Sequence, residues 1–247
     1  MSSPPIRSSV SDGVCTIKLD RPPGNLVDQE MMTKLLAILQ VANHDWETRV
    51  IVLESALPDV FSMGEDRSAP KPPPTQPYDS FGVPSTAMAL VRHALRGIWD
   101  AKWPVIAKVR GTAAGSGLLF AALADVTVIS ESARVGLPDA KSGAVNGATI
   151  LRRCMPEQAM RYLIWSARLI EARELRALGA GMRIVPESAL DAEVARLVQD
   201  IKAHDPHVLR HMKVALTELE LGDPLGGQAV EQRYTALLQA KANSAPS

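Results

Sequence analysis

The stretch "GTAAGSGLLF" (111–120) places three glycines and a serine ahead of two leucines and a phenylalanine, with no charge in the run. It does not end in Lys followed by Ser or Thr and lacks Gly-x-Gly-x-x-Gly spacing, so it matches neither common phosphate-binding loop. What is left is a small-residue turn between a strand and a helix. Gly115 and Gly117 permit close backbone approach there, and the N–H groups at a helix start have no intrahelical acceptor. Such donors stabilise a developing oxyanion without a charged side chain. Glycines kept only for tight packing would leave the same pattern.

A second turn, "FSMGEDR" (61–67), follows the buried-strand pattern "RVIVLES" (49–55). Gly64 again frees the backbone, while Glu65 and Asp66 read as surface caps or as site residues. Two glycine turns, each after a buried strand, suggest a two-donor hole. The third piece is Asp139 in "SESARVGLPDAKSGAVNG" (130–147), after Pro138 and among Val135, Leu137 and Ala140. A carboxylate in such a poorly solvated wall has a raised pKa suited to proton transfer; a plain turn or N-cap aspartate is the alternative.

The remaining reactive residue types form no comparable set. His204, His207 and His211 are interrupted by Pro206 and joined by no Cys or paired Glu, so no metal site is expected. His93 reads as a surface or packing residue on an amphipathic helix. Ser116 has no GxSxG elbow and no motif-level His partner, which argues against a nucleophile. Trp99 and Trp103 read as core or cleft wall.

These pieces need strands and helices to hold them. Residues 1–12, rich in Ser and Pro, are expected to be a flexible tail, 13–188 an α/β core, and 189–247 a C-terminal helical region. "VCTIKLD" (14–20) alternates like a two-faced strand, and "RVIVLES", "PVIAKV" (104–109), "DVTVIS" (125–130) and "MRIVP" (182–186) read as further strands. Helical spacing appears at Leu35, Leu36 and Leu39, across 85–100, and in two segments broken near 166–169, the second stopped at Gly179. Further stripes run through Leu190, Val194, Leu197, Val198 and Ile201, and through Val208, Met212, Ala215, Leu216 and Leu219. The last fits either the chain's own core or a neighbouring subunit; Tyr234, Leu237 and Leu238 would close a final helix. The Pro-rich run 69–77 cannot continue a helix or a central strand and reads as an exposed loop bordering the cleft.

The 247 residues are 46% hydrophobic, enough for a substantial core, and 27 basic residues balance 27 acidic ones, so no overall field attracts nucleic acid or an anionic membrane. Cys15 and Cys154 sit far apart in apolar surroundings and fit a reducing compartment. With no signal-peptide core and no bilayer-length apolar run, a soluble cytoplasmic protein is expected.

In order and approximate spacing, "VCTIKLDRPPGN", "RVIVLES" with "VFSMGED", "WPVIAKVRGTAAGSG", "ADVTVISESARVGLPDAKSGAVNG" and "SARLIEARELRALGAGMRIVP" make the chain resemble the crotonase, or enoyl-CoA hydratase/isomerase, family over about residues 12–220. The resemblance implies an α/β crotonase-like spiral of repeated β-β-α units, with C-terminal helices supporting a homotrimer or hexamer. It implies an acyl thioester of coenzyme A, or of an acyl carrier protein, as substrate, with no cofactor beyond that carrier and no metal. By position, the oxyanion donors would be the N–H groups of Glu65 and Ser116, with Gly64 and Gly115 shaping the turns. The loops beginning at Arg21 and following Asp66 would lie beside the adenine and phosphate part of the carrier.

One departure matters. The two glutamates of the family's hydratases fall here on Leu119 and Asp139. A leucine cannot activate water, and aspartate is one methylene shorter than glutamate. The combination resembles the family's double-bond isomerases, in which one base moves a proton between carbons of an enolisable thioester. It also resembles crotonase-like enzymes of β-branching polyketide pathways, which dehydrate or decarboxylate carrier-protein thioesters. A catalytically silent thioester-binding homologue is the competing class, because an inward-pointing Glu65 carboxylate would repel an anionic intermediate.

Overall fold

The computed structural model describes residues 4–68 and 87–220. The chain runs β1 (Ile6–Ser11), β2 (Val14–Leu19), α1 (Gln29–His44), β3 (Val50–Ser55), β4 (Val60–Ser62), α2 (Ala87–Trp99), β5 (Val105–Val109), β6 (Thr112–Ala114) and α3 (Ser116–Leu123). It continues through β7 (Val126–Ser130), β8 (Arg134–Gly136), α4 (Ala148–Leu151), α5 (Glu157–Ser166), β9 (Ile170–Glu171), α6 (Ala172–Ala177), β10 (Arg183–Val185), α7 (Leu190–Lys202) and α8 (Pro206–Leu219). The Pro-rich run 69–77 and the expected closing residues Tyr234, Leu237 and Leu238 lie outside the described residues.

Two sheets organise these elements. The larger has the order β1-β2-β3-β5-β7-β10 and the smaller β4-β6-β8-β9. Along the chain β3, β5 and β7 enter the large sheet, β4, β6 and β8 follow in the small one, and α2, α3 and α4 follow those in turn. This is the expected spiral of β-β-α units.

Burial explains the strand letters. In β2 only Cys15, Ile17 and Leu19 are buried, whereas β3 buries Val50 through Glu54 because both of its faces are covered. Ile51 and Leu53 join the main core with α1, α2 and α3, while Val50 and Val52 face a second cluster capped by Leu190, Val194 and Val198 of α7. The α3 sequence SGLLFAAL is apolar on every side, and Gly117 through Leu123 are all buried, as an all-round hydrophobic helix requires. Trp103 and Trp99 prove to be core residues, 0% and 4% exposed, with the Trp103 Nε1 donating to Ala42 O at 3.0 Å.

One expectation changes, and one question left open by the sequence is narrowed. The N-terminal tail is ordered from Ile6 onward, because Ile6–Ser11 pairs antiparallel with Val14–Leu19. The connecting Asp12-Gly13 has positive φ at both positions (49° and 76°), the two-residue turn whose twist suits a hairpin. That Asp-Gly pair was the sequence signal for a strand. In α8 the apolar stripe does not face the chain's own core: Val208, Met212 and Leu216 are 50%, 55% and 58% exposed. The helix docks instead through Leu209 and through Lys213, whose Nζ lies 2.6 Å from Asp125 Oδ1. Asp125 Oδ2 accepts the Val105 N–H at 2.7 Å, so the pair ties α8 to the start of β5. Replacing Asp125 with Asn strands a nearly buried ammonium; we expect about 2 kcal/mol of stability to be lost, below the ~3–5 of a fully buried pair because Asp125 is 23% exposed. Urea unfolding would measure it.

Among the described residues no helix is long and apolar enough to cross a membrane, and no group of three or more His, Cys, Asp or Glu is placed to hold a metal ion.

Candidate active site

Strands β4, β6 and β8 are parallel neighbours, so their C-terminal ends lie along one edge of the small sheet. The three pieces of sequence singled out for chemistry each follow one of these ends: Gly64 and Glu65 after β4, Gly115 and Ser116 after β6, Asp139 after β8. Residues far apart in the chain thereby meet.

The contact is close. A Cβ placed on Gly64 would lie 3.0 Å from Ala114 O and 3.5 Å from Ser116 N. One placed on Gly115 would lie 3.6 Å from both the Gly64 Cα and Asp139 Oδ2. Gly115 has φ 51° and ψ −126°, a conformation essentially restricted to glycine, and as N-cap of α3 it supplies no side-chain acceptor. Ser116 is the first helical residue, so its N–H is among those that the helix itself leaves unsatisfied.

The first turn is aimed by its neighbours. Val27 N–H donates to Gly64 O and Asp66 N–H to Val27 O, both at 2.8 Å, forming a parallel bridge between Val27 and Glu65. In that geometry the Glu65 N–H points away from Val27. Two buried polar residues hold this turn, neither of them apparent as a site residue in the sequence. Ser62 Oγ donates to Asn25 O at 2.8 Å and accepts the Gly64 N–H at 3.2 Å. Asn25, with φ 47°, donates to Phe61 O and Ser55 Oγ. The requirement for a polar residue tolerant of positive φ was the available clue.

Asp139 lies in the 3-10 turn Pro138–Ser142, just after buried Val135 and Leu137 in the chain, and its Oδ2 is sealed from solvent. Burial raises the carboxyl above its usual value, against the lowering effects of the Arg67 charge and a hydrogen bond from the Asn146 side chain; the Glu65 charge adds to the rise. Arg67 and Asn146 are thus two further members of the site. Each sits inside a stretch already suspected, but only the folded chain brings its side chain to the acid.

Leu119 is fully buried. Its Cδ2 would be 2.9 Å from a Cβ on Gly147, and Leu137 Cδ2 would be 2.8 Å from it, so these residues pack into the wall behind the Asp139 loop. Gly147, with φ 86°, makes that approach possible.

Arg21 and Asp66 hold each other. The Arg21 Nη2 lies 2.7 Å from Asp66 Oδ2 and 3.0 Å from Asp28 Oδ2, and Nη1 donates to Leu26 O at 2.9 Å. Hydrogen bonds from Ser68 and then from Arg21 depress the Asp66 carboxyl to about 2. A depressed carboxyl contributes stability that is present above its ordinary 3.8 and lost as pH falls toward about 2. Asp66→Asn is expected to flatten the fall of melting temperature across that window.

The chain has known relatives. A model of the enoyl-CoA hydratase/isomerase family matches residues 9–239, and the chain belongs to that family. It is 30% identical to the (7aS)-7a-methyl-1,5-dioxo-2,3,5,6,7,7a-hexahydro-1H-indene-carboxyl-CoA hydrolase of Rhodococcus jostii, over 91% of this chain and 84% of that one. The identically named protein of Mycobacterium tuberculosis is also 30% identical, over 94% and 92%. Among solved structures, an enoyl-CoA hydratase/isomerase from Xanthobacter autotrophicus Py2 superimposes with a TM-score of 0.81 at 26% identity, covering 95% of this chain and 87% of that one.

Proposed function

We propose that the chain binds an acyl-CoA thioester, holds its carbonyl oxygen with the N–H groups of Glu65 and Ser116, and moves a proton on and off the resulting enolate with Asp139. The convergence of the Gly64 turn, the Ser116 N–H and Asp139 Oδ2 within contact distance carries this reading. The coenzyme A named in the relatives above supports that carrier over a carrier protein. Uncapped donors at a helix start stabilise the oxygen as charge develops on it. A buried carboxyl with a raised pKa is suited to giving and taking a proton near neutrality.

With Leu119 in the wall where a hydratase carries its first glutamate, double-bond isomerisation is the reaction a single acid performs: Asp139 takes a proton from one carbon and returns it to another. Incubation with a 3-enoyl-CoA in deuterium oxide is expected to yield the 2-enoyl isomer with deuterium on carbon. Neither isomer formation nor exchange at the α-carbon would sink the proposal. Hydrolysis is the second reading, favoured by the two 30% identical hydrolases.

A further inference from the structure

We propose that Ser62 is a positioning residue of this site: its hydroxyl and its small side chain together hold the two N–H donors at the spacing that one thioester oxygen needs. This rests on the oxyanion reading above and identifies what keeps the two donor turns in register.

Gly64 is where that spacing is most easily lost. With φ 94° and no side chain it lets the peptide groups on either side of it turn, so each needs a hold of its own. The peptide after it carries the Glu65 N–H, and the carbonyl of that peptide accepts the Val27 N–H at 2.8 Å. In a planar trans peptide the Glu65 N–H then points away from Val27. The peptide before it is held by a side chain: the Gly64 N–H donates to Ser62 Oγ at 3.2 Å. That hydroxyl spends its own proton on Asn25 O at 2.8 Å, which leaves a lone pair for Gly64. Segment 24–27 thus grips the turn on both sides of the glycine.

The second donor leans on the same residue. Gly117, next to Ser116 in the first turn of α3, lies so close that a Cβ on it would stand 2.5 Å from Ser62 O and 2.7 Å from Ser62 Cβ. The helix start is therefore seated on the backbone and Cβ of Ser62, while the Ser62 hydroxyl holds the other turn. The strand ladder does not do this work. Val60 and Ser62 of β4 pair with Thr112 and Ala113 of β6, so β4 carries one extra residue and the register slips just before the site. Ser62 is fully buried, and bulk water does not compete for its hydroxyl.

Donors that drift apart hold the charged enolate oxygen less well, and the neutral thioester loses little by comparison. Removing one donor outright costs about 10²–10³ in kcat. Releasing one hydrogen bond behind a donor should cost less: Ser62→Ala is expected to lower kcat for α-exchange about tenfold while KM stays within about threefold.

The variants are Ser62→Ala and Ser62→Cys, with Asp125→Asn, at the tie between α8 and β5, as the control for general destabilisation. Butyryl-CoA in deuterium oxide gives kcat and KM for α-exchange. Butyryl-CoA carrying carbon-13 at the carbonyl gives, by infrared difference spectra, the lowering of the C=O stretch on binding, which reports hydrogen bonding to that oxygen. Ser62→Ala should show a smaller lowering than wild type. Ser62→Cys, a weaker donor and acceptor, should fall between the two in both readouts, and it carries the comparison if the alanine variant does not fold. Asp125→Asn should keep the wild-type stretch. Either Ser62 variant, folded, with wild-type turnover and stretch overturns the proposal. So does a loss of turnover with an unchanged stretch, or an equal change of stretch in Asp125→Asn. A wild type that neither shifts the bound carbonyl nor exchanges the α-proton instead removes the oxyanion reading itself.

Discussion

Asp139→Asn is expected to lower the rate of α-proton transfer by about 10²–10⁴-fold, the usual contribution of a positioned acid or base. Folding should be unharmed, and above the carboxyl's pKa it should improve. Burial, the largest influence, raises the Asp139 carboxyl above its ordinary 3.8, outweighing the Arg67 charge and the Asn146 hydrogen bond. The folded chain then binds the proton more tightly than the unfolded one. Stability is fully present below 3.8 and is lost as pH rises through the raised value. An asparagine mimics the neutral acid in shape and carries no charge to desolvate. Melting temperature against pH should therefore be flatter in the variant, while single-turnover exchange of an acyl-CoA in deuterium oxide falls. A variant that keeps full exchange would remove Asp139 from the mechanism.

Gly64→Ala should be nearly as damaging, by a different route. Its methyl group would stand 3.5 Å from Ser116 N, in front of a proposed donor, and 3.0 Å from Ala114 O, on a backbone with φ 94°. Loss of one oxyanion donor costs about 10²–10³ in kcat, and the strained backbone about 1–3 kcal/mol of stability. The two effects separate with a control. Gly179, past the end of α6, has φ 82° and meets only the Pro156 ring. Gly179→Ala should lose comparable stability and keep wild-type turnover. Equal kinetic losses in both variants would show that the Gly64 effect is general destabilisation.

How much of this was legible varies by element. The alternation in β2, the all-apolar α3 and the stripe of α7 were readable because each is set by a local period and one burial face. The strand β1 was hidden by its Ser-rich composition, since only Ile6 of its six residues is buried and the pairing with β2 rests on backbone hydrogen bonds. The Asp12-Gly13 turn carried the information. In α8 the apolar period was read correctly but does not point to the core, because the Lys213–Asp125 pair and Leu209 set the docking face. Arg21 shows the same limit from the electrostatic side. The family resemblance put the loop beginning at Arg21 beside the carrier's adenine and phosphate; that folding sets Asp66 and Asp28 against its guanidinium is written in no local pattern.

By itself, the sequence determined the kinds of parts: two glycine turns, a single acid at 139, a leucine at 119, and the strand–strand–helix order that carries them. These follow from short-range sterics and hydrophobic periodicity, which neighbouring residues specify. Only the tertiary structure decided which parts meet. Gly64, Ser116 and Asp139 converge because β4, β6 and β8 run parallel and end at one sheet edge, a relation no local pattern contains. The same convergence brought Glu65, Arg67 and Asn146 to the acid and buried Leu119 behind it, turning an uncharged turn into one wall of a charged site.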